Sequence, residues 1–405
     1  MPKPTSHSHP RLARGSLHSS LPLLRLLDRE GPLSQTTAAR RLAMTTGTCN
    51  LHFQRLESEH LVRRADHVRG AKGRPTIVWD INRRQNAVLV LVFDVPFFQA
   101  TLLDFAAQPL LEQRLDLSLA RSADDIADAI NAFSRNALEL AAHDNIRVRQ
   151  VVGGFPGLLN PADGTVLHAV NFPALDGLNL ASLFAARRLP AWSASLGLCF
   201  FFGETADLPT DATTLVVHWD LGVGMIVGRG ENILSQQFDA DGAPQIPEAG
   251  HICITPGGRD CRCGRKGCLE AYTGGQAMLS DLAGGDIHTL GDLLAALQDR
   301  RQDALVVARR AARTLARHMA WPAQFFGVER IVVTGPMSVA FDLLATAFQQ
   351  GLADTLPPEI VKSIAVQPSP DPRGRLRTGA CRLATRLFLD PASATRLPRS
   401  PAKLG

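Results

Sequence analysis

The sequence predicts an α/β protein with a winged helix-turn-helix at its N-terminus and a metal knuckle in its second half. Three observations carry that expectation. Residues 1–84 hold thirteen Arg and two Lys against six Asp and Glu, a net of +9, so the rest of the chain carries −4 of the total +5. Further on, continuous apolar runs such as VLVLVF at 88–93 read as buried strands and alternate with long amphipathic helices. Finally, 248–270 reads EAGHICITPGGRDCRCGRKGCLE and gathers His251, Cys261, Cys263 and Cys268 within eighteen residues.

A chain of 405 residues, 45% apolar and 20% charged, has the composition of a globular protein of two or three domains. No apolar run reaches the roughly 18 residues of a membrane span, and the polar start MPKPTSHSHPRLARGS has no apolar core of a secretory signal. Of seven cysteines, three belong to the knuckle. Cys49, Cys199, Cys253 and Cys381 sit among apolar neighbours and are expected as buried free thiols, which places the chain in a reducing cytoplasm.

Residues 1–15 read as a disordered tail. Leu21, Leu23, Leu24, Leu26 and Leu27 mark a first helix ending near Glu30 and Gly31. Ser34 caps a second helix, SQTTAARRLA, and Thr45 caps a third running to about Glu59, with Cys49, Phe53 and Leu56 on one face. In a helix-turn-helix the later helix enters the major groove. Its candidate DNA contacts are Thr46, Thr48, Asn50, Leu51, Gln54 and Arg55, and the sequence does not say which of them touches a base. Asn and Gln suit adenine edges, and Arg suits guanine or phosphate. Strand-like runs at 61–64 and 76–81 flank the loop RGAKGRP, a wing with Arg69, Lys72 and Arg74 as candidate DNA contacts, of which Arg74, beside Pro75, suits a narrow minor groove. An ordinary hairpin with solubilising charges is the competing reading. Helix pattern, wing and local charge agree on double-stranded DNA as the partner.

In the body, 88–93 is a strand, 101–105 its hairpin partner, 122–142 a long helix and 149–153 a second strand. Segments 290–300, 304–326 and 341–356 read as helices, with a strand at 331–334 and a tail after about 389. Three thiols and an imidazole make a closed tetrahedral shell, so the knuckle is expected to hold one structural zinc per chain. Glycines at 257, 258, 264 and 267 supply the turns that such a knuckle needs.

EAGH followed by CxCGxxGCLE resembles the repressor–ORF–kinase (ROK) family of sugar kinases and sugar-responsive repressors. GGFPGLLNPADGTV and AVNFPALDGLNLASLF resemble the family's next segments. The resemblance implies an actin-like (ribonuclease H-like) two-lobed fold. It divides the chain into a winged helix-turn-helix at 16–84, a first lobe at 85–200 completed by a closing helix at 376–390, a second lobe at 201–375 with the zinc motif, and a tail at 391–405. It also implies that Glu248, His251 and Glu270 contact sugar hydroxyls, His251 through the ring nitrogen not on zinc. Support of the metal loop by the two glutamates is the competing role.

Family kinases need features that this chain lacks. The first phosphate turn reads Asp94, Val95, Pro96, Phe97, Phe98, where Pro96 removes a donor and two phenyl rings are expected to fill the phosphate path. The Asn-Asp pair that holds the catalytic base falls on Ser195 and Leu196, and leucine accepts no proton. The second phosphate turn falls on His218, Trp219 and Asp220, where a carboxylate repels phosphate. The glycine run that accepts adenosine is half kept at Gly335. The expected function is therefore a DNA-binding transcriptional regulator, a repressor by resemblance, with no catalytic residues. Its degenerate kinase domain would sense a sugar or sugar derivative and form homodimers or homotetramers at the bacterial nucleoid. A sugar kinase with an appended DNA-binding domain is the alternative, and a constitutive DNA-binding protein with a dead pocket is a third reading.

Overall fold

The computed structural model of the chain describes residues 18–65, 77–94, 97–117, 119–160, 162–238 and 244–389. The N-terminal part folds as α1 (Leu21–Glu30), β1 (Leu33–Ser34), α2 (Gln35–Arg41), α3 (Thr46–Ser58), β2 (Val62–Ala65) and β3 (Val78–Ile81). The caps fall where side-chain chemistry puts them: Ser34 Oγ accepts from Thr37 N and Thr45 Oγ1 from Thr48 N, each at 3.1 Å. The three strands pair antiparallel in the order β1-β3-β2. Phe53 of α3, fully buried, stacks on Trp79 of β3 with ring centroids 4.8 Å apart. That contact fastens the helical half of the module to its sheet.

The body contains two five-stranded sheets. The first is built from β4 (Asn86–Asp94), β5 (Phe97–Asp104), β6 (Pro109–Asp116), β7 (Arg147–Phe155) and β8 (Ala191–Ser195), in the order β8-β7-β4-β5-β6. The pairs β8–β7 and β7–β4 are parallel and the other two antiparallel. The long helix α4 (Ala123–His143), closed by a Ser122–Asp125 capping box, precedes β7, and α5 (Leu196–Glu204) follows β8.

The second sheet repeats the pattern. It comprises β9 (Thr213–Trp219), β10 (Val223–Arg229), β11 (Asn232–Ile233), β12 (Arg330–Thr334) and β13 (Ala365–Pro368), in the order β11-β10-β9-β12-β13. Here too the first hairpins are antiparallel and the last two pairs parallel. The knuckle leads into α6 (Glu270–Thr273). Helix α7 (Gln302–Phe326) packs on α8 (Phe341–Ala353), and α9 (Pro372–Leu389) closes the fold. Two sheets of equivalent order make the two lobes of an actin-like duplication.

Alternation along β4 explains how it carries two cores. Leu89, Leu91 and Phe93 face α4, while Val88, Val90 and Val92 face the α5–α9 pair. That pair lies between the lobes, because Val216, Ile226 and Val332 of the second sheet join the same cluster. The cluster also takes in Leu23, Leu27, Phe53 and Trp79, so the N-terminal module and the inter-lobe helices share one apolar core. Arg25 Nε donates to Leu389 O at 2.9 Å, and Asn86 Nδ2 donates to His60 O at 2.8 Å, which adds polar ties across the same junction.

Four readings of the sequence need correction. The hairpin partner of β4 starts at Phe97 rather than 101, and a third antiparallel strand, β6, follows it. The closing helix begins at Pro372 rather than 376, since proline is well tolerated in a first helical turn. Cys253 is exposed, whereas Cys49, Cys199 and Cys381 are buried as expected. Burial pushes the Cys199 thiol up to about 12 and Cys381 to about 11, so both stay protonated and inert. Among the described residues no helix is long and apolar enough to cross a membrane.

Candidate functional site

The knuckle assembles as its spacing demands. His251 ends a 3-10 turn, Cys261 and Cys263 sit in the loop, and Cys268 lies two residues before α6. Short backbone bonds fold the loop on itself: Ile254 N to Gly267 O at 2.8 Å, Gly267 N to Arg259 O at 2.7 Å, and Cys261 N to Arg265 O at 2.8 Å. Gly267 has φ +77°, and a Cβ there would meet Thr255 O at 1.8 Å, so only glycine closes this turn. One donor atom from each of His251, Cys261, Cys263 and Cys268 lies within 4.8 Å of the others. The Cys263–Cys268 sulfurs are 3.7 Å apart, and Cys261 Sγ is 3.5 Å from His251 Nδ1. A tetrahedron with metal–sulfur bonds near 2.3 Å and metal–nitrogen bonds near 2.0–2.1 Å has edges of about 3.8 and about 3.5 Å. The four donors thus fit a tetrahedral ion, with His251 Nδ1 turned toward it.

His251 also lines a cleft of about 150 Å³. Glu248, Glu270, Asp220, Asn171, Ser195 and His218 supply its polar wall. Glu270 opens α6, and its Oε2 accepts from Val223 N at 3.0 Å, which aims the carboxylate. The flanking protein desolvates Glu248 and, with the Glu270 charge beside it, holds its carboxyl above the usual carboxylate range, although the side chain keeps an exposed face toward the open cleft. Glu248, His251 and Glu270 thus line one cleft, beside the four-donor cluster.

At the opposite wall Ser195 caps α5 by accepting from Gly197 N at 3.3 Å, and Leu196 is buried in the first helical turn. The wall holds a surprise at His218. Its ring stacks on Phe200 at 4.1 Å, and its Nε2 is buried with no hydrogen-bond partner among the described residues. Burial lowers its pKa to about 4, so it is neutral at pH 7. It lies against Gly335, whose added Cβ would meet the His218 ring at 2.8 Å. Gly335 has φ +86°, and Trp219 O would also lie 2.8 Å from an added Cβ, so the position demands glycine. Asp220 points its Oδ1 at Leu221 N, 2.7 Å away, inside its own turn.

The phenyl rings are not where the sequence suggested. Phe98 is in the first-lobe core and Phe97 lies under Arg114, whose guanidinium carbon is 3.7 Å from the ring centre. The rings that wall the cleft are Phe93 and Phe155, stacked at 4.6 Å. Val95 and Pro96 lie outside the described residues.

On α3 the presumed DNA face is partly as expected. Thr46, Thr48, Leu51 and Gln54 are exposed, and Leu51 shows 65% of its surface. Asn50 is half-buried. Arg55 is also half-buried and donates to Ser19 Oγ at 3.3 Å, so it is turned toward the start of the module. Arg69, Lys72 and Arg74 of the wing lie outside the described residues. Glu204 is not among the residues that the sequence marks as functional. It is 5% exposed at the end of α5 and accepts from Thr334 Oγ1 of β12 at 2.6 Å, linking the inter-lobe helix to the second sheet.

Comparison with known proteins agrees with this architecture. The ROK family model matches residues 97–385, and a winged helix-turn-helix DNA-binding model matches 21–63. The DNA-binding transcriptional dual regulator NagC of Escherichia coli is 24% identical over 358 residues, covering 82% of this chain and 83% of NagC. A glucokinase of Thermotoga maritima is 25% identical over 261 residues, 60% of this chain and 80% of that enzyme. The crystal structure of a ROK family transcriptional regulator, homologous to the E. coli Mlc protein, superposes with a TM-score of 0.77 at 20% identity, covering 95% of this chain and 99% of that one. With a two-lobed body matched over most of its length and a winged helix-turn-helix in front, the chain belongs to the ROK family.

Proposed function

We propose that this chain is a transcriptional repressor that reads operator DNA through residues 16–84 and senses a sugar or sugar derivative in the cleft between its lobes. One observation carries the reading. The core of the winged helix-turn-helix is continuous with the α5–α9 pair, which packs on both lobe sheets. A ligand that favours one lobe arrangement therefore biases the surface on which the DNA-reading module sits, by differential affinity for two states. The NagC and Mlc relatives, named as DNA-binding regulators, support the same assignment. The reading places the protein in the cytoplasm, bound to DNA as a homodimer or homotetramer. Thr46, Thr48, Asn50, Gln54, Arg55, Arg69, Lys72 and Arg74 are the proposed DNA contacts, and Glu248, His251 and Glu270 the proposed sugar contacts.

The metal is zinc, one per chain, held by His251, Cys261, Cys263 and Cys268. A closed shell of three thiolates and an imidazole supplies fold stability rather than chemistry.

No kinase activity is proposed. By the family resemblance Leu196 stands where a base must accept the sugar proton, and neutral His218 fills the space beside Gly335. Phosphoryl transfer needs a cradled, charge-neutralised triphosphate. The test has two arms. Selection from a random DNA library should return a symmetric motif, and one sugar of a panel should shift its affinity. Metal-dependent turnover of ATP with a sugar, abolished by Glu270→Gln, would instead establish the kinase.

A further inference from the structure

A second cleft, of about 630 Å³, lies at the junction of the DNA-reading module and the body. Five arginines line it: Arg25 and Arg29 from α1, Arg83 from the connection to β4, and Arg382 and Arg386 from α9. Among the described residues two carboxylates face them. Asp28 pairs with Arg83 at 2.8 Å, and Glu231 sits 3.8 Å from Arg386. Arg29 and Arg382 have no ion-pair or hydrogen-bond partner among the described residues. Among the described residues the surplus is three positive charges lining one concave space, which focuses the field on an anion. Planar guanidinium forks are matched to phosphate oxygens.

We propose that this junction binds a small phosphorylated metabolite carrying at least two negative charges. Its volume lies in the range of ordinary ligand sites, roughly 300–1,000 Å³. The sugar cleft has the opposite character, since Asp220, Glu248 and Glu270 line it and, among the described residues, no Lys or Arg does. A phosphorylated compound is thus drawn to the junction and repelled from the cleft. The DNA backbone fits less well as the occupant. Arg25 is held to Leu389 O at the end of α9, so this side of α1 faces the body, while the exposed residues of α3 lie elsewhere. Arginines from both modules would grip one ligand, which would stiffen their relative placement and alter operator affinity. That consequence rests on the repressor reading, whereas binding itself does not.

The experiment is calorimetric titration of the full chain at low salt with glucose, inorganic phosphate, glucose 6-phosphate and fructose 1,6-bisphosphate. The expected result is saturable binding of the phosphorylated sugars, tightest for the bisphosphate. It should weaken at least about tenfold in Arg29→Gln and in Arg382→Gln and stay unchanged in Glu270→Gln. Binding of inorganic phosphate as tight as that of the sugar phosphates would make the site a bare anion hole and overturn the metabolite assignment. So would the absence of binding, equal binding by the arginine variants, or loss of binding in Glu270→Gln. Arg29 is exposed and unpartnered, so its variant should melt like the parent. Failure of every small anion, together with weaker binding of random duplex by both arginine variants, would assign the surface to DNA.

Discussion

Cys263→Ala tests the knuckle most directly. Cys263 Sγ forms one 3.7 Å edge of the donor tetrahedron with Cys268, and among the described residues no further thiol belongs to the cluster. Cys253 is the nearest candidate, but it is exposed and stands outside the four-donor cluster. Structural zinc in small peptide sites is worth about 10–16 kcal/mol of apparent binding free energy. Shared over four ligands, one thiolate accounts for about 3 kcal/mol, or roughly a hundredfold in affinity. The damage should spread along the chain in a defined direction. Cys268 precedes Glu270, and His251 is both ligand and cleft wall, so the sugar cleft should loosen with the knuckle. The DNA-reading module packs against α9 instead and should keep its fold. Elemental analysis should find one zinc per chain in the parent and in Cys253→Ala, and far less in Cys263→Ala after dialysis against a weak chelator. Circular dichroism should show an early unfolding step in that variant alone. Full zinc retention by Cys263→Ala, or zinc loss from Cys253→Ala, would refute the assignment of ligands.

Four further outcomes follow from the same geometry. Phe53→Ala removes a fully buried ring stacked on Trp79 and should cost about 3–5 kcal/mol by urea denaturation, abolishing operator binding before it affects the body. Gln54→Ala, at an exposed position of α3, should cost about 1–3 kcal/mol at a single base pair and leave random-duplex affinity intact, whereas Arg74→Ala should weaken A·T-rich flanks; identical motifs from both variants would show that the reading surface lies elsewhere. Leu196→Asp should not create ATP-dependent sugar phosphorylation, because His218 still occupies the space by Gly335, and product formation by that single variant would be contrary evidence. Burial raises the Glu204 carboxyl pKa, so its share of stability is present below the ordinary glutamate range and lost as pH rises through the folded value; Glu204→Gln keeps an acceptor for Thr334 and should flatten the fall in melting temperature above about pH 4.5.

The readable parts of this protein were those built from near neighbours in the chain. Ser34 and Thr45 cap their helices through amides three residues away, and the four metal donors span only 251–268, so spacing and side-chain chemistry determined both before any packing was known. Buried strands were visible as apolar runs for the same reason. Pairing across the chain decided the rest. The order β8-β7-β4-β5-β6 and its repeat in the second lobe depend on contacts between distant segments, and β6, with its mixed polar face, carries no clear apolar pattern of its own. Phe97 and Phe98 were placed wrongly because strand alternation, set by the register with β4, sends one ring into the core and the other under Arg114. His218 reaches Gly335 across 117 residues, and Arg29 shares a cleft with Arg382 although 353 residues separate them. Sequence spacing constrains local geometry strongly, but which remote surfaces meet is set by burying two sheets and one N-terminal module against a single pair of helices.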